Sequence, residues 1–387
     1  MSIVLILFLS LLVLTFVRIF SLWTLSMAYG FRKHKPKAPF EKISVIVPAF
    51  NEEQSIAETV ESLLAQSYED FEVIVVDDGS IDRTMEISSK YEGTRVKVIH
   101  QENKGKAQAL NTGIMAATGR IVLTVDADTR LNRSALRVLA ERFSASPNLG
   151  ALAGNVKVHN AKGLLQKFQE TEYTTSIGLT RKGQSMLASV MIVPGPIAAF
   201  RKEAVEKVHG FSSDTFAEDF DITLEVLKAR YGVEYEDHAI AYTIAPNGIE
   251  DLLKQRRRWY RGMIQVLAKH EDMFFRKKYG IAGLYGIPFM FFDVVSPIIN
   301  LFLTIFAVMT GFITGEWATI LYGLSAYWIL QILMVVSAVS LDKERRPWEI
   351  VVSPLIIFYN TFLDGIRIAA FIEELLALRM KWETPRR

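Results

Sequence analysis

The chain has 387 residues, of which 50% are hydrophobic, and its formal net charge at pH 7 is +2. This length allows one sizeable catalytic domain and a further segment, while the near-neutral charge gives no indication of nucleic acid or an acidic partner. The sequence contains no cysteine, which excludes disulfides, zinc–thiolate sites and a cysteine nucleophile. Apolar residues concentrate at the start and again after Gly283, a distribution typical of a membrane protein with a more polar insert.

The apolar stretch over residues 1–31 predicts a first membrane-spanning helix, since it is long enough to cross a bilayer and only Arg18 interrupts it. A cleaved signal peptide is the alternative, which the length of the stretch and the absence of a preceding basic residue disfavour. Under the positive-inside rule, the basic residues that follow place the N-terminus outside the cell membrane and the next segment in the cytosol. These basic residues are Arg32, Lys33, Lys35 and Lys37.

Residues 40–248 form the predicted cytosolic domain, in which short apolar runs alternate with helical patterns. The predicted strands are Ile43–Pro48, Glu72–Val76, Val96–Ile99, Ile121–Val125 and Gly150–Val158. The predicted helices are one that follows a capping box at Ser55–Glu58, then 82–90, 106–117, 134–143, 164–179 and 216–229. This alternation predicts a mostly parallel sheet with helices on both faces. No P-loop or dinucleotide fingerprint follows a strand, so ATP hydrolysis and NAD binding have no support.

Two acidic residues at the end of the fourth predicted strand indicate a metal site. Asp126 and Asp128 are alternate residues, so their side chains face the same way in an extended chain. They would lie at the carboxyl edge of the sheet, where open α/β sheets bind ligands. Oxygen donors of this kind suit Mg²⁺ or Mn²⁺. An ordinary acidic turn after a strand is the alternative at this point of the argument.

Residues 249–279 predict a basic amphipathic helix that lies on a membrane surface. Its apolar side chains would face the bilayer or the first span, and Arg256 and Arg257 would contact lipid headgroups. The apolar side chains are Leu252, Tyr260, Met263 and Leu267. Nucleic-acid binding is the competing interpretation of the basic run, which the neighbouring apolar segments disfavour.

The segment 283–387 predicts a transmembrane region. Residues 285–313 and 318–339 are long enough to span a bilayer, and the loop between them has no Lys or Arg. The last apolar run, 350–378, carries charged residues within it. A full crossing would leave the basic tail outside, against the positive-inside rule, so a re-entrant or interfacial element is the alternative.

Six short motifs occur between residues 47 and 259. They are VPAFNEE at Val47–Glu53, VVDDGS at Val75–Ser80, KAQALN at Lys106–Asn111, DAD at Asp126–Asp128, AED at Ala217–Asp219 and QRRRW at Gln255–Trp259. In this order they resemble the processive family 2 glycosyltransferases, the membrane synthases of cellulose, chitin, hyaluronan and poly-N-acetylglucosamine. The resemblance covers residues 43–263 and the membrane layout. One departure is Ala217, where many members carry threonine outside the chemistry.

The resemblance implies an α/β fold of the GT-A type with a mixed, mostly parallel sheet, followed by an α-helical transmembrane region. It also implies a role for each matching residue. Asp219 would be the catalytic base. The donor nucleotide and its diphosphate would be bound by Glu52, Asp78, Lys106, Asp126, Asp128, Gln255 and Arg258. Asp126 and Asp128 would hold the divalent metal, and Trp259 and Glu218 would bind the acceptor sugar.

Most of these residues also have a structural interpretation. Glu52 and Asp219 could be first-turn helix acids favoured by the helix dipole, and Asp78 could be a turn residue. The remaining alternatives are a solvated helix start for Lys106, a pairing neighbour of Asp219 for Glu218, and an interfacial anchor for Trp259.

Within the family, the segment 154–201 looks closest to the poly-β-1,6-N-acetylglucosamine synthases, through GN at 154–155, EYTTSIGLTRKGQS at 172–185 and PGPIAAFR at 194–201. The tail KWETPRR looks similar as well. UDP-N-acetylglucosamine is therefore the favoured donor, with UDP-glucose and UDP-glucuronate open. The expected partners are an oligosaccharide acceptor, the lipid bilayer and a small accessory membrane subunit, and no nucleic acid. Two rivals are a non-processive transferase that acts on a polyprenyl phosphate and a non-enzymatic membrane scaffold.

Overall fold

The computed structural model describes residues 17, 20–32, 39–315 and 317–378, except for the side chains of Thr319 and Ile320. Three predictions fall wholly or partly outside these residues. They concern most of the first span, the basic residues Lys33, Lys35 and Lys37, and the tail from 379 onwards.

The described strands form one eight-stranded sheet in the order β3-β2-β1-β4-β7-β6-β8-β5. Their bounds are β1 Ile43–Ala49, β2 Phe71–Asp78, β3 Val96–Gln101, β4 Ile121–Thr124, β5 Arg130–Leu131, β6 Leu149–Val158, β7 Ala198–Arg201 and β8 Gly232–Thr243. Strands β1 to β4 pair in parallel, whereas β7 runs antiparallel to both β4 and β6. The sheet is therefore mixed and mostly parallel, as the family resemblance implied.

Helices cover both faces of the sheet. Those of the catalytic domain are α2 Ile56–Leu64, α3 Thr84–Ser89, α4 Lys106–Ala116, α5 Ala135–Ala145, α6 Leu164–Glu172, α7 Thr180–Ser185, α8 Lys202–Lys207 and α9 Glu218–Lys228; residues 20–29 form α1 before them. Side chains of β1 alternate between two buried clusters, with Ile46 in one and Val45 and Val47 in the other. This alternation is why β1, at the centre of the parallel half, is apolar along nearly its whole length.

Helix α2 begins where the sequence predicted, but the capping box does not form. The Ser55 hydroxyl donates to the Glu52 carboxylate at 2.6 Å and accepts no hydrogen bond from an N–H group of the first helical turn. Glu58 pairs with Arg130 of β5. Both partners of the expected box are thus engaged by residues outside the helix.

The predicted helix over 164–179 is longer and contains a π-helical segment. Helix α6 continues through the π-helix Tyr173–Leu179 into α7. π-Helical turns are rare and frequently occur at functional sites. Here the wide turn lies against the cavity described below, and several of its side chains line that cavity.

The C-terminal region is built from α10 Ile249–Lys269, α11 Ile287–Thr314, α12 Trp317–Leu341, α13 Trp348–Val352 and α14 Ile356–Leu375. Among the described residues, three helical segments are long and apolar enough to cross a membrane. They are Ala282–Thr314, Leu321–Leu341 and Trp348–Leu375. The two predicted spans before residue 340 correspond to α11 and α12.

Among the described residues, the apolar side of α10 packs against other parts of the protein, so the prediction that it faces the bilayer is wrong. Leu252 and Tyr260 pack with Val335 and Leu363 of the C-terminal helices, and Leu267 lies in the core of the catalytic domain. Helix α10 is therefore enclosed between the catalytic domain and the transmembrane region. An amphipathic pattern shows that a helix has an apolar side, but it does not show what covers that side.

The last apolar run lies along α10 rather than leading away from it. Near its start, the Tyr359 hydroxyl donates to Glu172 at 2.8 Å. In its middle, the Arg367 guanidinium lies 4.9 Å from the Tyr260 ring, and near its end Glu374 pairs with Arg261 at 2.8 Å. The run therefore contacts α6 or α10 at several points along its length, while its crossing of the membrane stays a prediction.

Candidate active site

One cavity of about 1230 Å³ lies between the carboxyl edge of the parallel strands, α9, α10 and the C-terminal helices. The structure brings every residue assigned to the site by the resemblance to the wall of this cavity. These residues are Glu52, Asp78, Lys106, Asp126, Asp128, Glu218, Asp219, Gln255, Arg258 and Trp259. They come from segments more than 200 positions apart in the sequence, and the fold alone places them together.

Asp78, at the end of β2, is held by the loop that precedes α4. Its carboxylate accepts hydrogen bonds from the backbone N–H groups of Lys104 and Gly105, at 2.9 and 2.8 Å, and from the Gln101 side chain at 2.6 Å. Glu52 lies at the same end of the cavity and accepts the Ser55 hydroxyl. These contacts show that Asp78 has a structural role in holding this loop. Its contact with a nucleoside stays a prediction.

Lys106, the first residue of α4, lies among three carboxylates. Its ammonium is 2.7 Å from Asp126 and 3.2 Å from Glu218. Burial on its own lowers the pKa of Lys106, but Asp126 and Glu218, with a smaller effect of Asp219, outweigh burial and raise the pKa. The cavity thus holds a fixed positive charge beside the predicted catalytic residue, and Lys106 is not a solvated helix start.

Gly195 allows the turn that contains it to pack closely against Lys106 and Asp126. A Cβ at this position would lie 2.9 Å from the Lys106 nitrogen and 3.3 Å from the Asp126 carboxylate oxygens. The Gly195 N–H also donates to the Asp219 carboxylate at 3.4 Å. A side chain here would therefore displace Lys106 or Asp126.

Asp126 and Asp128 both line the cavity, and their donor atoms are oxygens only. This composition fits Mg²⁺ or Mn²⁺, which take carboxylate ligands and are commonly completed by substrate phosphates. One Asp126 oxygen accepts from Lys106, and the same carboxylate has a second oxygen for a cation. Asp128 is buried, with 9% of its surface exposed, at the base of the site.

Asp219 lies in the first turn of α9, and its environment suits a base. Burial and the neighbouring Glu218 carboxylate raise the pKa of Asp219 to about 6, while Lys106 opposes the shift. The Phe220 N–H donates to one oxygen at 2.8 Å, which orients the carboxylate. A carboxylate with this pKa is ionised at neutral pH and accepts a proton more readily than an ordinary aspartate.

The predicted common face of α10 exists. Gln255, Arg258 and Trp259 line the cavity, and Gly262 packs against the start of α9, since a Cβ there would lie 2.8 Å from the Ala217 Cβ. The helix that bears the predicted acceptor platform thus touches the segment that bears Asp219. A larger side chain in place of Gly262 would therefore push on the start of α9 and shift Asp219.

Arg256 is not a lipid headgroup contact. Its side chain is fully buried and pairs with Glu172 at 2.7 Å, and its guanidinium lies 4.1 Å from the Trp259 ring. Arg256 therefore supports the indole from behind. Arg257 pairs with Glu373 of α14 and is half exposed. No sequence pattern links Arg256 to Glu172, which lies 84 positions earlier in the chain.

The cavity extends between the C-terminal helices, in line with the expectation that these helices line a path out of the site. Polar side chains at helical spacing line it there: Asp293, Ser296 and Asn300 of α11, Tyr327 and Gln331 of α12, and Asn360, Asp364 and Arg367 of α14. Spacings of three, four and seven residues place each set on one helix face. Polar residues within apolar helices commonly line aqueous paths.

Residues 44–209, which include Asp126, Asp128 and most strands of this sheet, match the family model described as glycosyl transferase family 2. The chain is 34% identical over 258 residues to the poly-β-1,6-N-acetyl-D-glucosamine synthase of Staphylococcus aureus strain COL. It is 32% identical over 256 residues to the synthase of Staphylococcus epidermidis. These matches cover 66% and 63% of this chain, and 62% of each relative's own length.

A solved structure matches almost the whole chain. It is the mannosyltransferase PcManGT from Pyrobaculum calidifontis, in complex with GDP-Man and Mn²⁺. The TM-score is 0.67 at 20% identity, and the match covers 95% of this chain and 98% of that protein. This likeness confirms the GT-A fold. The match also includes the C-terminal helical region.

Proposed function

We propose that this protein is an inverting, processive glycosyltransferase that extends a β-linked polysaccharide from a UDP-sugar and exports it. The observation that carries this proposal is the single cavity that runs from Asp219 to the polar faces of α11, α12 and α14. Asn300 lies 13 residues beyond Ile287, the first residue of α11, or roughly 20 Å along the helix. A transferase that releases each product to the cytosol has no need of such an extension.

The proposed reaction is a single displacement. The acceptor hydroxyl gives its proton to Asp219, its oxygen bonds to the anomeric carbon, and the bond from that carbon to the diphosphate breaks with its electron pair on UDP. Attack opposite the leaving group inverts the anomeric centre. One base is sufficient, and the pKa of Asp219, raised to about 6, suits that role.

The second requirement is that the negative charge on the leaving diphosphate is neutralised. Lys106 and Arg258 line the cavity and carry positive charge toward it. Asp126 and Asp128 would hold Mg²⁺ or Mn²⁺, which would neutralise the same diphosphate. The bound Mn²⁺ of the mannosyltransferase supports a divalent ion in this fold.

The acceptor sugar would stack on Trp259. The Arg256 guanidinium behind the ring, at 4.1 Å, and the Arg256–Glu172 ion pair fix the indole, so the platform is preorganised. Glu218 lies beside Asp219 and pairs with Lys106 at 3.2 Å, which favours the pairing role over direct acceptor binding. The poly-β-1,6-N-acetyl-D-glucosamine synthases at 32–34% identity support N-acetylglucosamine as the transferred sugar.

A substitution that fills the channel tests the proposal. Gln331→Trp or Asn360→Trp would narrow the extension between α12 and α14, and Phe358→Trp is the matched control, since Phe358 is 71% exposed on the outer face of α14. We expect the filled variants to release UDP from UDP-N-acetylglucosamine and make only short product on a gel, while the control makes full-length polymer. Full-length polymer from both filled variants would contradict a channel between these helices.

Transfer to a polyprenyl phosphate is the second candidate. The specific observation in its favour is the apolar part of the cavity wall, along which a lipid chain would lie, formed by Leu22, Phe289 and Met290. A donor panel of UDP-N-acetylglucosamine, UDP-glucose and UDP-glucuronate, with product analysis for a single lipid-linked sugar, separates this candidate from polymerisation.

A further inference from the structure

A buried arginine in the wall of the cavity has no role in the reaction described above. Arg181 of α7 lines the cavity with 8% of its surface exposed. The wall of the same cavity also includes apolar side chains of α1 and α11, Leu22, Phe289 and Met290. The π-helix Tyr173–Leu179 immediately precedes α7, and its wide turn sets which face of α7 meets the cavity.

Arg181 differs from other cations of the cavity in its partners. Lys106 pairs with Asp126 at 2.7 Å and Arg367 with Asp364 at 3.2 Å. Within the part of the chain that the structure describes, the Arg181 side chain has no hydrogen bond and no ion pair. A largely buried charge without a partner is unfavourable, and the Arg181 side chain meets the cavity rather than a protein partner.

The groups around Arg181 do not neutralise it. Burial lowers the pKa of Arg181 to about 10, and Tyr235, Asp219 and Tyr173 only partly oppose this shift. The guanidinium is therefore still protonated at neutral pH. Burial also raises the pKa of Tyr235 and of Tyr173, so both phenols are neutral. Asp219 is ionised at neutral pH and partly offsets this charge, but among the described residues it forms no hydrogen bond or ion pair with Arg181, so the guanidinium N–H groups are available to a bound anion.

We propose that Arg181 binds a phosphate group inside the cavity. The inference rests on the proposed sugar transfer in this cavity. A guanidinium forms two parallel hydrogen bonds to phosphate oxygens. The phosphate has two sources, the diphosphate of the sugar donor and the head of a phosphorylated lipid. The apolar wall of Leu22, Phe289 and Met290 favours the lipid, whose chain would lie along it.

The test is equilibrium binding to the purified full-length protein in detergent, with three probes. Farnesyl phosphate is the lipid phosphate, farnesol is the same lipid without charge, and UDP represents the donor. The variants are Arg181→Met and Arg181→Lys, and the control is Arg137→Met, an arginine of α5 with a 61% exposed side chain. Melting temperatures establish that each variant folds.

We expect wild type and the control to bind farnesyl phosphate more tightly than farnesol. Arg181→Met should weaken the binding of farnesyl phosphate by about 10- to 100-fold, the scale of a charged hydrogen-bonded pair. The affinities for UDP and for farnesol should stay unchanged. Arg181→Lys should fall between wild type and Arg181→Met. If Arg181→Met weakens UDP instead, Arg181 still binds phosphate and the donor is its source.

Three results would overturn the proposal. They are unchanged binding of both phosphates by Arg181→Met, equal binding of farnesol and farnesyl phosphate by wild type together with unchanged UDP, and failure of both Arg181 variants to fold, which would make Arg181 a structural residue. None of these measurements requires sugar transfer. Failure here therefore leaves the polymerase proposal standing, and failure of polymer synthesis leaves the phosphate site standing.

Discussion

Replacement of Asp219 by asparagine removes the proposed base with almost no change in shape. Turnover should fall by about 10²- to 10⁴-fold, the usual scale of general-base loss, while UDP affinity stays near that of wild type, because Lys106 and Arg258 are intact. UDP release at saturating donor measures the first quantity, and UDP binding measures the second. If the variant loses UDP affinity and keeps its turnover, Asp219 is not the base.

The pH dependence follows from the same residue. The pKa of Asp219 is raised from 3.8 to about 6 by burial and Glu218, so turnover of wild type should rise with pH through about 6 and then level off. The folded protein holds this proton more tightly than the unfolded chain. Its contribution to stability is therefore present below pH 4 and lost between about pH 4 and pH 6.

The magnitude of that loss is about 3 kcal/mol, since a difference of one pKa unit corresponds to 1.36 kcal/mol. Asp219→Asn removes the buried charge, so its melting temperature at pH 7 should be equal to or above that of wild type. Asp221 is the matched control on the same helix. Burial raises the pKa of Asp221, but His270 and Lys269 outweigh burial and lower it, so Asp221→Asn should lower the melting temperature with turnover per folded molecule retained. A lower melting temperature for Asp219→Asn than for Asp221→Asn would refute the electrostatic argument.

Three further predictions concern the metal, the acceptor platform and the contact between α9 and α10. Asp128→Asn should abolish most metal-dependent UDP release and leave the fold intact by circular dichroism; full activity of this variant, or of wild type in excess chelator, would remove the metal assignment. Trp259→Ala should abolish or shorten the polymer while the protein stays membrane-bound and still binds UDP; normal-length polymer at a normal rate would make Trp259 an anchor only. Gly262→Val should lower turnover more than UDP affinity, because even a Cβ added at this position would lie 2.8 Å from the Ala217 Cβ. A wild-type rate would show that the start of α9 is free to move.

The parallel half of the sheet was predictable from the sequence because strands buried on both faces are continuous apolar runs. Strands β1 and β4 differ from prediction by one residue at one end. Strand β8, Gly232–Thr243, was missed, because Glu234, Glu236 and Asp237 break the apolar pattern. Those carboxylates are buried in the fold by partners such as Arg142 and Lys182, which no local pattern reveals.

The candidate site was predictable wherever a motif carried it, and the contacts around it were not. The order of motifs placed Lys106 and Asp219 in one site, but the pairing of Lys106 with Glu218 depends on a turn at Gly195 that lies far from both in sequence. The prediction of what surrounds α10 was wrong for the same reason. Its arginines are neutralised by Glu172 and Glu374, on separate helices, so residues that predict a lipid surface are buried within the protein.

Product length at early times tests the central claim most directly. The purified protein in lipid nanodiscs would receive UDP-N-acetylglucosamine, and the products would be resolved by size while most of the donor is still unspent. A processive enzyme with an enclosed channel should make long polymer from the first time points, alongside unextended acceptor. Products that carry one sugar, or short chains that all lengthen in step with donor consumption, would contradict processive synthesis by this protein.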